Sequence, residues 1–310
     1  MEIIHNLEHF KYKDKKVVIC IGNFDGVHFG HKEVINTMLD YAEKHSAVAM
    51  AVTFDPHPST VISNKDQMKV ITSIRHKMNL FNEMNVPICF LVKFNKIIAD
   101  MSAEDFFYKI LLQDLNINTI VVGFNFGFGK EKQGDINFLK EQCEKQGINF
   151  VSVSPVCIND EIVSSTKIRK YIKQGNFKQA DLLLGREYSI IGKVVHSQGI
   201  GAQLGYPTAN IKITNDCVPE YGVYAVKIKG LDENKVLYGA ANLGDVPTFH
   251  RKELFLEVYI FDFDEDIYNK EIEIIFVEKI RNEKDFGSKE ELIEQIEKDC
   301  VKAKQILEKV

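Results

Sequence analysis

The apolar residues in the first half of the chain follow two alternating patterns. Short continuous runs of apolar and β-branched residues are typical of buried strands, whereas apolar residues at every third or fourth position are typical of amphipathic helices. The runs that predict strands are KVVICIGNF (16–24), AVAMAVTF (47–54), ICFLVKF (88–94), TIVVGFNF (119–126) and INFVSVS (148–154). The segments that predict helices cover 30–45, 74–85, 102–115 and 135–147. Strict alternation predicts parallel strands with crossover helices, which form a doubly wound α/β sheet.

The pattern changes in the second half of the chain. Two short helices are predicted at 165–175 and 176–185, and each ends at a glycine. After Arg186 the predicted strands follow one another without helices between them, at 188–196, 221–230, 235–244, 253–263 and 271–280. A helical pattern at 288–310 ends the chain. This order predicts a small antiparallel β-barrel or sheet with a terminal helix, and two domains at 1–185 and 186–310.

Composition narrows the class of protein. A length of 310 residues suggests two domains, and 45% hydrophobic with 27% charged residues is ordinary for a soluble globular protein. A net charge of −5 offers no global basic surface to nucleic acid, and no apolar run approaches the roughly 18 residues of a membrane span. The N-terminus lacks the apolar core of a signal peptide, and the six cysteines form no C-x-x-C pair. We expect a cytoplasmic protein with reduced thiols and no nucleic-acid or membrane partner; its oligomeric state is not indicated.

The stretch GNFDGVHFGH (22–31) carries candidate chemistry between the first predicted strand and the first predicted helix. The first turn of a helix leaves backbone N–H groups unpaired, and its dipole favours an anion. The three glycines of the stretch let the backbone bend and approach a ligand closely. His28 in the turn and His31 on the first helical turn could both point at one phosphate chain, as neutral donors or as cations. The stretch therefore predicts a phosphate site.

Two other interpretations of this stretch compete with a phosphate site. A zinc site would need further ligands, and no cluster of Cys or His has suitable spacing, so we rank zinc below phosphate and predict no tightly bound metal. A plain strand–helix turn with surface histidines would be the better interpretation of a lone histidine. It accounts less well for two histidines inside G-x-F-D-G-x-H-x-G-H.

That pattern closely resembles the H-x-G-H nucleotidyltransferase superfamily, specifically the adenylyltransferase domain of bacterial FAD synthetases. TFDPHPS (53–59), VVGFNFGFG (121–129) and SSTKIR (164–169) resemble further motifs of that family, in the same order. The resemblance implies a Rossmann-like fold in which the FMN phosphate attacks the α-phosphorus of Mg·ATP to give FAD and pyrophosphate. Such chemistry depends mostly on positioning and charge neutralisation.

The resemblance also implies roles for individual residues. His28 and His31 would stabilise charge on the α- and β-phosphates, and Asn125 would hold the reacting phosphates. The implied ATP-binding residues are Gly22, Phe24, Asp25, Gly30, Ser165, Thr166 and Arg169. The implied flavin-binding residues are Phe54, His57, Pro58 and Phe128. Many family members carry Arg where this chain has Gly127, which removes one cation without removing the implied reaction.

The C-terminal half resembles the riboflavin kinase domain of the same bifunctional proteins. The matching strings are GKVVHSQGIGAQLGYPTANI (192–211), ANLGDVPTF (241–249) and the segment 256–286. The resemblance implies that Thr208 and Asn210 coordinate Mg²⁺ and the ATP phosphates, since hydroxyl and amide oxygens are hard ligands. It also implies that Glu257 accepts the proton of the riboflavin 5′-hydroxyl. The implied ATP loop contains Gly199, Gly201 and Gly205, and the implied flavin-side residues are Arg281 and Phe286.

Three positions depart from the kinase pattern. Ser197, Ala202 and Val246 stand where relatives often have other residues, among them cations, and this could weaken nucleotide binding. The residues that would carry the chemistry remain, so we expect an active kinase that makes FMN from riboflavin and ATP, followed by FAD synthesis. The alternatives are a monofunctional adenylyltransferase with a silent or flavin-binding kinase-like domain, a non-catalytic flavin-binding protein, and a cytidylyl- or pantetheine-directed relative.

Overall fold

The computed structural model describes residues 1–62, 68–112, 115–197, 200–213, 216–232, 235–247 and 252–310. They form two compact units, Met1–Ser165 and Thr166–Val310. The predicted functional divide at 186 lies after two helices that the structure includes in the second unit, and it stays a prediction.

A six-stranded parallel sheet organises the first unit, and its strand order is β1-β4-β3-β2-β5-β6. The strands are β1 (Glu2–Ile4), β2 (Val17–Ile21), β3 (Val48–Asp55), β4 (Ile88–Lys93), β5 (Ile117–Gly123) and β6 (Asn149–Val153). The predicted doubly wound sheet is confirmed, with β1 as an additional edge strand that the pattern did not indicate. The strand order reverses between β2 and β5, and ligands of such sheets bind outside the carboxyl ends of the strands at this point.

Helices cover both faces of the sheet. They are α1 (Phe29–Lys44), α2 (Pro58–Ile62), α3 (Ile74–Glu83), α4 (Lys96–Ala99), α5 (Ala103–Asp105) and α6 (Ile136–Gln146). All five residues of β2 are buried, since alternate residues enter two apolar clusters on opposite faces. A small hairpin, β7 (Cys157–Ile158) with β8 (Glu161–Ile162), follows the sheet.

The predicted helix 102–115 is corrected by the structure. Ser102 caps it by accepting the Asp105 N–H at 3.0 Å, but α-helical geometry ends after one turn. The chain continues as a π-helix over Phe106–Leu111. Phe106 and Phe107 are both buried in this segment, so the wider turn brings two consecutive aromatic side chains into the core.

A closed antiparallel barrel forms the centre of the second unit, with strand order β10-β13-β12-β11-β14-β9. The strands are β9 (Ser189–Val195), β10 (Ala209–Ile213), β11 (Gly222–Asp232), β12 (Lys235–Pro247), β13 (Lys252–Ile260) and β14 (Glu271–Arg281). The helices of this unit are α7 (Ser165–Lys173), α8 (Phe177–Leu184), α9 (Ile200–Gln203) and α10 (Lys289–Leu307). The predicted barrel and terminal helix are confirmed, and β10 is a strand that the prediction lacked.

The helices before and after the barrel pack against it. Gly175 and Gly185 adopt left-handed conformations with φ 66° and 67°, which confirms the two predicted helix stops. Phe177 of α8 lies 6.1 Å from Tyr188 and 5.5 Å from Phe276, measured between ring centroids. The terminal helix α10 covers an outer face of the barrel with an apolar cluster that comprises Val223, Ala225, Ala240, Phe261, Ile280, Ala303, Ile306 and Leu307.

Candidate active sites

The loop 22–31 follows β2 at the point where the strand order reverses, and His28 joins it to helix α1. His28 is the N-cap of α1, and its Nδ1 accepts the backbone N–H of His31 at 3.3 Å. Since Nδ1 is the acceptor, a neutral His28 carries its proton on Nε2 and can donate it to a ligand oxygen. The His28 and His31 rings stack with their centroids 3.6 Å apart and their planes 17° apart. Both imidazoles therefore lie together at a helix N-terminus.

Two glycines of the loop make room for aromatic rings. A Cβ on Gly30 would lie 3.3 Å from Cε1 of His28, and a Cβ on Gly22 would lie 3.0 Å from the Phe24 ring. The Phe24 ring meets the His31 ring edge to face, with centroids 5.4 Å apart. The sequence predicted these glycines for close approach to a ligand. The structure adds that Gly22 leaves room for the Phe24 ring and Gly30 leaves room for the His28 ring.

The loop backbone is strained, and contacts from a distant segment hold it in place. Phe24 and Val27 have φ values of 48° and 41°, which bulky residues rarely adopt. The buried Asp25 accepts two backbone N–H groups through Oδ1, from Ile71 at 2.8 Å and from Thr72 at 3.2 Å. The Thr72 hydroxyl in turn accepts the backbone N–H of Gly26 at 3.1 Å. We call residues 71–77 the support segment.

Phe24 and Asp25 were predicted to bind ATP, and the burial of their side chains limits which of their atoms a ligand can reach. Phe24 is 1% exposed and packs edge to face against Phe81, with ring centroids 5.6 Å apart. Asp25 is 2% exposed and holds the support segment. Their side chains therefore stabilise the loop from its buried side. Only their backbone groups could contact an ATP phosphate.

The remaining predicted ATP-binding residues of this site lie at the start of α7. Ser165 Oγ donates to the carbonyl oxygen of Asp25 at 2.9 Å, so the fourth motif contacts the first. Thr166 and Arg169 belong to the second compact unit, and their place at the triphosphate stays a prediction.

Asn125 lies just beyond the end of β5, beside α1. A Cβ on Gly123 would be 3.8 Å from Asn125 Oδ1 and 3.8 Å from Cγ2 of Val34, which is on α1. The exposed Asn125 amide therefore lies at the carboxyl edge of β5, the neighbour of β2. Gly127 lies in the same loop, where its Cβ would contact Lys132 Cβ at 3.6 Å.

Two of the predicted flavin-side residues, Phe54 and Phe128, belong to an aromatic cluster around Phe106. Phe54 and Phe128 are each 7% exposed, and both contact the π-helical Phe106, with ring centroids 6.2 Å and 5.5 Å away. His57 bonds through Nδ1 to the Ser59 hydroxyl at 2.7 Å, and Pro58 begins α2. Phe54 and Phe128 are therefore largely buried within this aromatic cluster, and their direct contact with flavin stays a prediction.

The second candidate site is a row of three polar residues across the barrel. Glu257 on β13 lies in register with Asn210 on β10 and with Asn242 on β12. Side chains in register on neighbouring strands share one face of the sheet. Burial raises the pKa of Glu257, and a hydrogen bond with Asn242 opposes this rise. A carboxylate with a raised pKa is a better proton acceptor than an ordinary one, as a general base requires.

Asn210 presents an oxygen that is ready for a ligand. Its Nδ2 donates to the Thr208 carbonyl oxygen at 3.0 Å and to Thr208 Oγ1 at 3.4 Å. Asn210 is 4% exposed, and its buried Oδ1 has no hydrogen-bond partner among the residues that the structure describes. A buried oxygen without a partner is costly, and amide and hydroxyl oxygens are ligands that Mg²⁺ accepts. The predicted pair therefore fits a hydrated Mg²⁺ ion.

The loop before Thr208 has a tight turn that depends on glycine. Tyr206 N–H donates to the Gly201 carbonyl oxygen at 2.9 Å, and a Cβ on Gly201 would be only 2.5 Å from the Tyr206 carbonyl oxygen. Gly205 has φ 88°, a conformation that favours glycine. Of the predicted loop, Gly199 lies outside the described residues. Ser197 and Ala202, two of the departures, are exposed.

Two cavities lie next to this loop. One of about 360 Å³ is lined by Thr208, Tyr268 and the acidic run 264–266. The other, of about 370 Å³, lies between Tyr206 and residues of α10. Thr208 and Tyr206 belong to the same loop. This loop therefore borders both cavities, and each cavity can accept a small molecule.

The predicted flavin-side pair at the end of β14 has structural partners. The Arg281 guanidinium binds the buried Asp299 of α10 through Nε at 2.8 Å and through its terminal nitrogen at 2.8 Å. It also lies 5.6 Å from the centre of the Phe286 ring. These contacts fix Arg281 between β14 and α10, and the predicted contact with flavin stays a prediction.

The sequence analysis missed two polar residues of these sites. Asn242 was quoted within a motif without a role, and only the strand register places it beside Glu257. Lys77, on α3, is 4% exposed and donates to the carbonyl oxygen of Asn23 in the first loop at 2.7 Å. A lysine within the apolar pattern of a predicted helix is the signal that could have identified it.

No described helix is both long and apolar enough to cross a bilayer. Within the described ranges, no group of three His, Cys, Asp or Glu side chains is arranged to hold a metal ion.

Comparison with known proteins covers both halves of the chain. The FAD synthetase family model matches residues 10–167, and the riboflavin kinase family model matches residues 184–307. A bifunctional riboflavin kinase/FMN adenylyltransferase from Buchnera aphidicola subsp. Acyrthosiphon pisum is 39% identical, over 97% of this chain and 96% of its own. Relatives with the same description from Bacillus subtilis and Escherichia coli K12 are 35% and 33% identical, and each alignment covers at least 95% of both chains.

A solved structure shares the fold over nearly its full length. A crystal structure described as a macrolide-efflux protein from Streptococcus pneumoniae has a TM-score of 0.79 and 29% identity to this chain. The match covers 96% of each chain.

Proposed function

The chain belongs to the bifunctional riboflavin kinase/FMN adenylyltransferase family, and from this premise we propose where its two reactions take place. The enzyme uses ATP to convert riboflavin to FMN, and then FMN to FAD. We assign adenylyl transfer to the loop 22–31 and phosphorylation to the row Asn210–Glu257–Asn242. Riboflavin, FMN, FAD and ATP are the small molecules bound, and we place the enzyme in the cytoplasm.

The stacked histidines are the observation that best supports the first assignment. An FMN phosphate that attacks the α-phosphorus of ATP builds negative charge on the phosphate oxygens as pyrophosphate leaves. His28 and His31 stabilise this charge from the N-terminus of α1, with His28 donating through Nε2. Asn125, from the end of β5, holds the reacting phosphates in line. Ser165, Thr166 and Arg169 bind the triphosphate.

The kinase assignment is supported by the position and burial of Glu257. Its carboxylate accepts the proton of the riboflavin 5′-hydroxyl, and the oxygen attacks the γ-phosphorus of ATP as ADP leaves. Asn242 orients the carboxylate through their hydrogen bond. Asn210 and Thr208 would hold Mg²⁺ and the ATP phosphates, and the ion would neutralise phosphate charge when bound.

Product analysis with a single flavin supplied tests both assignments. Riboflavin with Mg·ATP is expected to give FMN and then FAD, and FMN with Mg·ATP is expected to give FAD and pyrophosphate. Asn210→Ala should abolish FMN formation and leave FAD formation from FMN intact. If riboflavin is not converted while FMN still gives FAD, the kinase site is silent and its assignment fails.

A further inference from the structure

The buried side chain of Lys77 contacts the loop 22–31 from its buried side. Lys77 is 4% exposed, and its Nζ donates to the Asn23 carbonyl oxygen at 2.7 Å and to Thr53 Oγ1 at 3.5 Å. The buried Thr53, near the end of β3, donates its hydroxyl to the same carbonyl oxygen at 3.3 Å. The carbonyl where the loop leaves β2 therefore accepts from two buried donors.

Stability alone does not account for a lysine at this position. Burial lowers the pKa of Lys77, and the charge of Asp25 opposes that shift. Taking an ammonium out of water carries a large free-energy cost, which one carbonyl and one hydroxyl offset only in part. Methionine has a similar shape and would fill the same space without that cost. A buried charged group that costs stability next to a functional site is expected to serve function.

The contact acts on the first bend of a strained loop. Asn23 directly precedes Phe24, whose left-handed φ of 48° begins the path to the histidines. The other contacts from the support segment reach Asp25 and Gly26. Within the support segment, Lys77 therefore holds the start of the loop and Ile71 and Thr72 hold its middle. His28 caps α1 at the end of the loop.

We propose that Lys77 is a positioning residue for adenylyl transfer. By holding the Asn23 carbonyl oxygen together with Thr53, it keeps the loop in the conformation in which His28 and His31 stack at the helix N-terminus. This inference rests on the proposed role of the two histidines. It requires no contact between Lys77 and either substrate.

Lys77→Met tests the proposal because it removes the ammonium and keeps the length of the side chain. We expect kcat for FAD formation from FMN to fall at least ~10-fold, since small displacements of catalytic groups have effects of this size. The KM values for FMN and ATP should change less than about threefold, since the binding groups remain. The melting temperature should stay the same or rise. Amide hydrogen exchange should accelerate within residues 22–31.

Matched variants separate positioning from general damage. Leu139→Met alters a buried residue of α6 in the apolar cluster that contains neither Phe24 nor Val27, and it should leave kcat and exchange in 22–31 unchanged. Thr53→Val removes the second donor to Asn23 and should lower kcat about threefold, a loss of one weak hydrogen bond. If Lys77→Met does not fold, Thr53→Val decides the question, and an unchanged kcat then overturns the proposal.

Two results with Lys77→Met would also overturn it. One is a wild-type kcat. The other is a loss of kcat that follows a lower melting temperature and returns on cooling, which would make Lys77 merely structural. Failure of the underlying site assignment looks different, because His28→Ala with His31→Ala would then still form FAD.

Discussion

The two histidines of the first site take their positions from their own neighbours. His28 caps a helix and stacks on His31, so removing either ring also disturbs the other. We predict that His28→Ala together with His31→Ala abolishes FAD formation and spares FMN formation, because the kinase residues lie on a separate barrel. Chromatography of products from riboflavin and from FMN measures both reactions. Loss of both activities in a folded variant would contradict two independent sites.

Glu257, the proposed base of the kinase, predicts a characteristic pH dependence of kinase activity. Burial raises its pKa, and the base must be deprotonated to act, so activity is lost as the pH falls through this raised value. We predict that kcat/KM for riboflavin phosphorylation falls on the acid side at a pH above ~4.3, the pKa of an ordinary glutamate.

A pH profile of FMN formation locates this limb. Glu257→Gln is the control, and it should remove nearly all kinase activity while FAD formation from FMN continues. An acid limb at the ordinary glutamate pKa, or an active Glu257→Gln enzyme, would exclude Glu257 as the base.

At the scale of elements, one buried contact joins α10 to the barrel. Asp299 is 5% exposed and accepts from Arg281 and from Gln295 Nε2. We predict that Asp299→Ala lowers the free energy of unfolding by about 1–3 kcal/mol, since donors on both partners lose their acceptor. Denaturant unfolding followed by circular dichroism measures the change.

A surface ion pair on the same helix is the matched control. Glu294 and Lys298 lie one turn apart, and both side chains are more than 60% exposed. Glu294→Gln should leave the free energy of unfolding nearly unchanged, because water and salt screen an exposed ion pair. Equal effects of the Asp299 and Glu294 substitutions would show that the buried contact adds no stability.

The elements show what the sequence could predict and where it fell short. Long periodic segments and continuous apolar runs gave the right helices and strands because burial on one or both faces dictates these patterns. The π-helix at 106–111 escaped prediction because its geometry depends on fitting Phe106 and Phe107 into one core. The strand β10 was missed because its five residues, Ala209–Ile213, are too few to form a clear apolar pattern.

The candidate sites divide in the same way. His28, His31 and Glu257 lie within local sequence motifs, so the sequence of each motif was enough to propose them. Asn242 and Lys77 reach their sites from remote elements, and strand register or tertiary packing shows which site each one joins. The Phe24 side chain is 1% exposed, which a linear motif does not reveal, and its contact with ATP stays a prediction.

At the scale of the whole molecule, the two proposed sites have no residue in common, so we expect the two reactions to proceed independently. We predict that an equal mixture of the His28→Ala/His31→Ala and Glu257→Gln variants makes FAD from riboflavin, although neither variant does so alone. The first variant is expected to release FMN into solution, and the second is expected to convert it to FAD.

Time courses of FMN and FAD measure this exchange between molecules. FMN should accumulate first, and FAD should follow with a lag that shortens as the Glu257→Gln variant is increased. FMN accumulation without FAD in the mixture would contradict transfer through solution.

The support segment limits how the ten-residue loop could be reused by protein engineers. Its contacts with the loop come from positions some fifty residues further along the chain, on a different helix and the turn before it. A scaffold that receives only GNFDGVHFGH would gain two histidines and a strained backbone without Lys77 or the amides that Asp25 binds. A transplant of this chemistry therefore has to include two segments, the loop and residues 71–77, and must preserve the spacing between them.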